Sequence, residues 1–111
     1  MNLLKGNLLN DPAANKFDGE SFEPIVKGEN ISIERIVTNE SFKTPGPWYD
    51  QDKDELVVLI QGKAELEFEN NEISELNQGD YLLIPAHKVH RVWSVSKSPN
   101  CIWLAIHGNF K

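Results

Sequence analysis

Glu55 and His90 are the two residues of this 111-residue chain whose types and settings could support chemistry. Glu55 begins a run that ends at Ile60, and every residue after the glutamate in that run is apolar. A carboxylate in such a place is desolvated unless a metal ion or a basic side chain meets it. His90 lies in a second partly apolar stretch, and imidazole is the commonest metal-binding side chain near neutral pH. A water-exposed glutamate and a hydrogen-bonded core histidine are the alternatives.

The spacing around these two residues resembles the two signature motifs of the cupin superfamily. The chain reads Glu55-x6-Gly62 and then Gly79-x5-Pro85-x4-His90. In that family the glutamate and the late histidine face each other inside a small β-barrel and hold a divalent metal. The resemblance therefore implies that Glu55 and His90 are metal ligands.

The segment just before Glu55 departs from the family pattern. Family members carry a His-x-His pair three or four residues upstream of the glutamate, and neither histidine is present here. The shorter spacer maps the pair onto Tyr49 and Gln51, and the longer one maps it onto Trp48 and Asp50. We favour the shorter spacer because it aligns an acidic pair, ending at Glu55, that is often found in these proteins.

The resemblance then implies a metal site formed by Gln51, Glu55 and His90, with Gln51 binding through its amide oxygen. Two oxygens and one nitrogen would weakly favour Fe, Mn, Ni or Zn as the divalent ion. No organic cofactor is expected. For proton transfer we select His87 and Tyr49. His87 stands where the motif commonly has glycine, and it could either reach the barrel mouth or face solvent.

The rest of the sequence indicates the elements that must position these residues. From Phe22 onward, short apolar and β-branched runs alternate with turn residues, which is typical of an antiparallel all-β domain. The predicted strands cover 22–27, 31–38, 55–60, 63–69, 72–76, 81–84, 89–95 and 101–107. The resemblance selects the antiparallel jelly-roll barrel of the cupins. We therefore predict an irregular N-terminal arm over 1–21 and one cupin barrel domain over 22–111.

Three expectations concern side chains outside the proposed site. Glu65, Glu67 and Glu69 alternate with apolar residues, which predicts one solvated strand face without a function. Cys101 is the single cysteine, and its apolar neighbours predict an inert, buried thiol. His107 closes the last predicted strand, where we expect a structural histidine.

The charge balance excludes several classes of partner. Seventeen acidic and eleven basic residues give a net charge of −6, without a dense Lys/Arg cluster. Such a field repels nucleic-acid phosphates and anionic membranes. No apolar run has the length of a signal peptide or a membrane span, so we expect a cytoplasmic protein. A chain of this size gains stability by burying a further apolar face, and we therefore expect a homodimer.

Two functions remain open at this point. In the first, the chain is an enzyme whose metal offers open positions to a small, oxygen-rich organic substrate for dioxygenase-like or isomerase-like chemistry. In the second, the barrel is metal-free and serves as a non-catalytic module that binds a metabolite. The barrel does not decide between them, because function resides in the site.

Overall fold

A computed structural model of the protein describes residues 2–10 and 17–110, and these residues form eight β-strands. The strands are β1 (Glu20–Lys27), β2 (Ser32–Thr38), β3 (Asp54–Gln61), β4 (Ala64–Phe68), β5 (Ile73–Leu76), β6 (Tyr81–Ile84), β7 (His90–Val95) and β8 (Cys101–Gly108). All eight predicted strands are present, with ends that differ by at most two residues from the prediction. No helix long and apolar enough to cross a membrane occurs in the described ranges.

The strands form two antiparallel sheets that pack face to face as a cupin jelly roll, which confirms the predicted fold class. The larger sheet has the order β1-β2-β8-β3-β6, and the smaller one has the order β5-β4-β7. One core joins the two sheets, because Leu59 and Trp103 of the larger sheet belong to the same buried cluster as Leu66 and Phe68 of the smaller one. In the larger sheet the last strand, β8, lies at the centre between β2 and β3, which come much earlier in the chain.

The period of two along β3 determines which side chains point into the molecule. Glu55, Val57 and Leu59 are buried, whereas Leu56 and Val58 lie on the opposite face and are half-buried. An almost wholly apolar strand is expected when both faces are covered. The sequence of β3 thus places a glutamate on the same inner face as the core residues.

The predicted solvated face is wrong for Glu67, which is buried, and only partly right for Glu65, which is half-buried. Glu67 is only 8% exposed, and its Oε1 accepts a hydrogen bond of 2.7 Å from Arg91 Nε on the neighbouring strand β7. Glu65 Oε1 accepts a hydrogen bond of 2.7 Å from Ser94 Oγ. Cross-strand partners explain this burial, because a carboxylate paired with a cation tolerates the loss of water. Glu69 is exposed, as predicted.

Two turns require a left-handed backbone. Asn71 has a φ of 67° in the hairpin between β4 and β5, in agreement with the tolerance of asparagine for positive φ. Gly62, with a φ of 97°, connects β3 in the larger sheet to β4 in the smaller one. A Cβ at Gly62 would lie 2.8 Å from Sγ of Cys101, which is fully buried as predicted. Gly62 is therefore required both for its φ and for the close approach.

Residues 2–10 of the predicted N-terminal arm contact the larger sheet through Arg35 of β2. The Arg35 guanidinium donates hydrogen bonds to the backbone carbonyls of Leu8, at 3.1 Å, and Asn10, and it forms an ion pair with Glu23 of β1. β1 begins at Glu20, two residues before the predicted strand. The last two residues of the predicted arm, 20 and 21, thus belong to β1, and residues 11–16 of that arm lie outside the described ranges.

Candidate functional site

A cavity of about 70 Å³ opens between the two sheets. Its walls are apolar and include Val57, Leu66, Ile84, Val92 and Trp103. Its polar lining consists of Tyr49, Gln51, Glu55, His90 and His107, together with Glu20 and Glu34. Apolar walls with a few convergent polar groups are typical of small-molecule sites. This cavity is therefore the candidate functional site.

Strand pairing brings the polar groups together from distant parts of the chain. Glu55 of β3 lies directly opposite His107 of β8 in the antiparallel register, so their side chains share the inner face. His90 opens β7 and forms an isolated bridge with Tyr49. That bridge has two backbone hydrogen bonds, of 2.7 Å from Tyr49 N and 3.1 Å from His90 N. The bridge holds the segment before β3 against the smaller sheet.

Glu55 is the centre of the polar cluster and is only 7% exposed. Its Oε1 lies 3.5 Å from Nε2 of His90, and its Oε2 lies 3.6 Å from Nε2 of His107. The amide nitrogen of Gln51 lies 3.5 Å from Nε2 of His107. Glu55 Oε1 is fully buried and has no hydrogen-bond partner among the described residues. A buried carboxylate oxygen in that state is costly, because burial removes its water without supplying a replacement.

The orientation of His90 is fixed by the backbone. Its Nδ1 lies 2.8 Å from the carbonyl oxygen of Lys88, so Nδ1 carries the proton and donates it. Nε2 is left facing Glu55. Burial alone would lower the pKa of His90, but the contact with Glu55 and the Lys88 carbonyl outweigh it and raise the pKa above the usual value of 6.5. In the metal-free protein, the His90 ring therefore keeps protons on both nitrogens up to a higher pH than a free imidazole does. The resulting imidazolium pairs with the Glu55 carboxylate.

Tyr49 shares this environment. Its ring lies 5.9 Å from the His90 ring, centroid to centroid. Burial, followed by the charges of Glu20, Glu55 and Glu34, raises the pKa of Tyr49 from 10.0 to about 12. The tyrosine hydroxyl therefore stays protonated over the whole physiological range and is able to donate a hydrogen bond.

The structure brings four of the five predicted site residues into the cavity: Tyr49, Gln51, Glu55 and His90. Tyr49 and Gln51 face inward while Asp50 faces outward, which agrees with the shorter spacer. His87 is not among the cavity-lining residues. Its side chain is 68% exposed and its Nδ1 lies 2.8 Å from Oδ1 of Asp50.

The backbone at His87 explains the family preference for glycine there. His87 has a φ of 64°, in the left-handed region that glycine adopts without strain. Its backbone N–H donates a hydrogen bond of 2.7 Å to the Gln51 carbonyl. The loop thus keeps its shape with a histidine in place, and the imidazole points away from the cavity. The structure leaves only Tyr49 of the two predicted proton carriers inside it.

Three polar residues of the cavity were not predicted as site residues: His107, Glu20 and Glu34. The prediction of a structural role for His107 followed from its position at the end of the last strand. The signal that could have found it is parity, because residues 103, 105 and 107 share one face of β8 and Trp103 and Ala105 are buried. Glu20 and Glu34 lie on β1 and β2, and no local pattern in the sequence predicts that their side chains line the cavity.

The donor types around Glu55 fit a divalent metal better than their spacing does. Two imidazole nitrogens and a carboxylate are the set found in two-histidine, one-carboxylate sites with open positions. Within residues 2–10 and 17–110, however, no group of three or more His, Cys, Asp or Glu side chains is close enough to hold a metal ion as it stands. Metal binding would require Glu55, His90 and His107 to draw together.

Comparison with known proteins gives a consistent result. A family model described as "Cupin domain" matches residues 39–107. One similar protein of known crystal structure comes from Ralstonia eutropha JMP134 and is provisionally named a mannose-6-phosphate isomerase. Its sequence is 34% identical to this one, and the two structures superpose with a TM-score of 0.84 over 96% of this chain and 98% of that one.

Two further solved structures are similar in fold at lower identity. An RmlC-like cupin protein from Desulfovibrio desulfuricans is 18% identical with a TM-score of 0.72, over 98% of this chain and 100% of that one. KdgF from Halomonas sp. is 18% identical with a TM-score of 0.69, over 84% of this chain and 81% of that one. A search of curated proteins found no match.

Proposed function

This chain belongs to the cupin family, and on that premise we propose that it binds one divalent metal ion in its cavity and acts on a small, oxygen-rich organic molecule. The single observation that carries the proposal is the buried Oε1 of Glu55, which has no hydrogen-bond partner among the described residues. A cation is the partner that such an oxygen needs. His90 and His107 direct their Nε2 atoms at the same carboxylate and would complete the ligand set, with Gln51 beside them.

The described residues would have separate tasks around that ion. When bound, Fe²⁺, Mn²⁺, Ni²⁺ or Zn²⁺ would supply Lewis-acid chemistry to a coordinated substrate oxygen. The Lys88 carbonyl fixes the tautomer and the ring orientation of His90, as outer partners of metal-binding histidines do. Tyr49 keeps its proton at neutral pH and would donate a hydrogen bond to the substrate. The apolar walls exclude water from the reacting end.

The name of the 34%-identical relative favours isomerisation over oxidation for this chain. Isomerisation moves a proton between neighbouring carbons and needs a group that releases and recovers protons close to the substrate. Tyr49 faces inward but keeps its proton at neutral pH, so it would donate a hydrogen bond to the substrate oxygen, while the carboxylates or imidazoles beside it would carry the proton between the carbons. The same name suggests a sugar phosphate as the substrate, but the carboxylates of the cavity argue against a phosphate group inside it.

A second function, metal-free binding of a metabolite, is favoured by a different observation. Both oxygens of Glu55 already lie within 3.6 Å of an imidazole nitrogen, so the carboxylate has positive partners without a metal if the histidines are protonated. The raised pKa of His90 supports that state. Metal analysis separates the two functions.

The decisive experiment measures the metal content of the full chain purified without chelators and after addition of each of the four ions. We expect about one metal per chain in the wild type, and less than about a tenth of that in Glu55→Gln and His107→Ala, because each variant removes one ligand. His87→Ala is the matched control, since its imidazole lies outside the cavity, and it should retain the metal. Absence of metal from the wild type under every condition would overturn the proposal in favour of metal-free binding.

We also propose that the chain forms a homodimer through the outer face of its larger sheet. One row of that face crosses all five strands and is apolar throughout: Val26, Ile33, Ile106, Leu56 and Leu83. Val26 and Leu83, at the two ends of this row, are 49% and 51% exposed. A standard interface buries about 800 Å² per partner, and a second copy on this row would cover these apolar side chains.

A further inference from the structure

The cavity contains two carboxylates that the proposed metal site does not use. Glu20 of β1 and Glu34 of β2 line it from the strands farthest from β3. Both side chains are half-buried, and neither forms a hydrogen bond or ion pair within the described part of the chain. No lysine or arginine is found among the described residues that line the cavity. These oxygens are therefore open acceptors that face whatever enters.

The ionisation of neighbouring groups reflects this concentration of negative charge. Burial, followed by the charge of Glu34, raises the pKa of Glu20 above its usual value of 4.5. The three carboxylates of the cavity also contribute, after burial, to the raised pKa of Tyr49. Even with a bound dication, three carboxylates leave an excess negative charge. A phosphate or carboxylate entering this low-dielectric space would be repelled.

Size and wall chemistry restrict the ligand further. A volume of about 70 Å³ admits only a few heavy atoms, because a single water occupies about 30 Å³ and sites for drug-sized ligands span roughly 300–1,000 Å³. Phe22 and Ile36, which pair across β1 and β2, separate Glu20 from Glu34 along the wall. The part of the ligand that enters is therefore small, with an apolar surface and hydrogen-bond donors.

We propose that Glu20 and Glu34 are the specificity-determining residues of this cavity, selecting a small organic molecule that carries hydroxyl or amine donors without negative charge and rejecting phosphorylated and carboxylated molecules. The proposal rests on the proposed function, in which Glu55, His90 and His107 hold the reacting end. It also separates this chain from what a sugar-phosphate isomerase would need, since no lysine or arginine among the described cavity residues could bind a dianionic phosphate.

The test uses three two-carbon probes of nearly equal size: ethanolamine as the cation, ethylene glycol as the neutral molecule and glycolate as the anion. Their dissociation constants are measured at pH 7 on the metal-free full chain by following the indole resonance of Trp103 and the methyl resonances of Leu66 in NMR spectra. Working without metal prevents glycolate from binding by chelation. We expect ethanolamine and ethylene glycol to bind at least about tenfold more tightly than glycolate.

Variants then assign the selectivity to the two carboxylates. Glu20→Gln/Glu34→Gln should reduce the ratio of ethanolamine to glycolate affinity by about tenfold or more, since it removes two charges and keeps the shape. Glu72→Gln/Glu75→Gln removes two charges from the exposed end of the smaller sheet and should leave the ratio unchanged. Equal affinity for glycolate and ethanolamine in the wild type, an unchanged ratio in the cavity variant, or no binding of any probe would each overturn the inference.

The metal content of the same proteins keeps the two proposals apart. Glu20→Gln/Glu34→Gln should retain the metal, because it leaves Glu55, His90 and His107 intact. Loss of selectivity for charge with the metal retained would support the specificity role alone. A wild type without metal that still discriminates against glycolate would refute the metal proposal and leave this inference standing.

Discussion

Arg91 is expected to be the side chain outside the cavity whose removal most destabilises the smaller sheet. Its Nε donates a hydrogen bond of 2.7 Å to Glu67, and its Cζ lies 4.2 Å from the centre of the Trp48 ring and 5.5 Å from that of Trp93. The side chains of Arg91 and Glu67 are 22% and 10% exposed. Arg91→Ala would leave a buried carboxylate without its cation and two indole rings without the group between them.

The magnitude follows from these contacts. Removing one partner of a fully buried ion pair costs about 3–5 kcal/mol, and the partial exposure of Arg91 reduces this to about 2–3 kcal/mol. The two cation–π contacts add about 0.5–1 kcal/mol each at sites that water reaches. We therefore expect Arg91→Ala to lower the free energy of unfolding by about 3–5 kcal/mol, which corresponds to a fall in Tm of roughly 10–20 °C.

Equilibrium unfolding in urea, followed by circular dichroism on the metal-free protein, measures this loss. A double-mutant cycle with Glu67→Gln isolates the ion pair, and we expect a coupling energy of about 1–2 kcal/mol. Arg91→Lys is the matched control for charge, because it keeps the cation but loses the planar group that stacks on the indoles. A loss below about 1 kcal/mol for Arg91→Ala, or a coupling energy near zero, would show that this reasoning overstates the burial of the pair.

Three further predictions concern the cavity, a turn and the outer face. In the metal-free protein, ultraviolet titration against a Tyr49→Phe reference should give a midpoint near pH 12 for Tyr49. Any stability that this group contributes should be present below pH 10 and lost between pH 10 and 12. A midpoint near 10 would contradict the proposed effect of burial and the cavity carboxylates on this pKa. Gly62→Ala should lower the free energy of unfolding, measured in urea, by about 2–4 kcal/mol. Gly79 has a similar φ of 92°, but a Cβ there would meet no atom within 4 Å, so Gly79→Ala should lower it by only about 1–2 kcal/mol. Equal losses would refute the steric argument. Leu83→Glu should convert a dimer into a monomer in sedimentation velocity, while Ser74→Glu should not; a monomeric wild type would remove the interface proposal.

The strands could be predicted from local patterns because each carries its own period and its own turn residues, whereas the jelly-roll arrangement was predicted from the family resemblance. Asn71 adopts the positive φ expected of a hairpin asparagine, and the run from Glu55 to Ile60 is a strand with both faces partly covered. These features depend on neighbours in the sequence. Their prediction therefore did not require knowledge of which strands pair.

The candidate site was only partly predictable because it depends on pairings between distant strands. The contact between Glu55 and His107 arises from the register of β3 against β8, and no local pattern reveals that register. Glu67 was predicted to be solvated for the same reason, since its cation comes from a strand more than twenty residues away. Asp50 and Gln51 could be told apart only by the family spacing, which the structure supports.

The sheet order also has a consequence for how the polypeptide acquires its native state. β8 occupies the middle of the larger sheet, so β2 and β3 both present unpaired edges until the final strand inserts between them. Exposed strand edges recruit other chains, and pairings of high sequence separation form slowly. During synthesis, the polypeptide therefore spends its most aggregation-prone interval just before β8 emerges, and Glu55 meets His107 only after that strand has inserted.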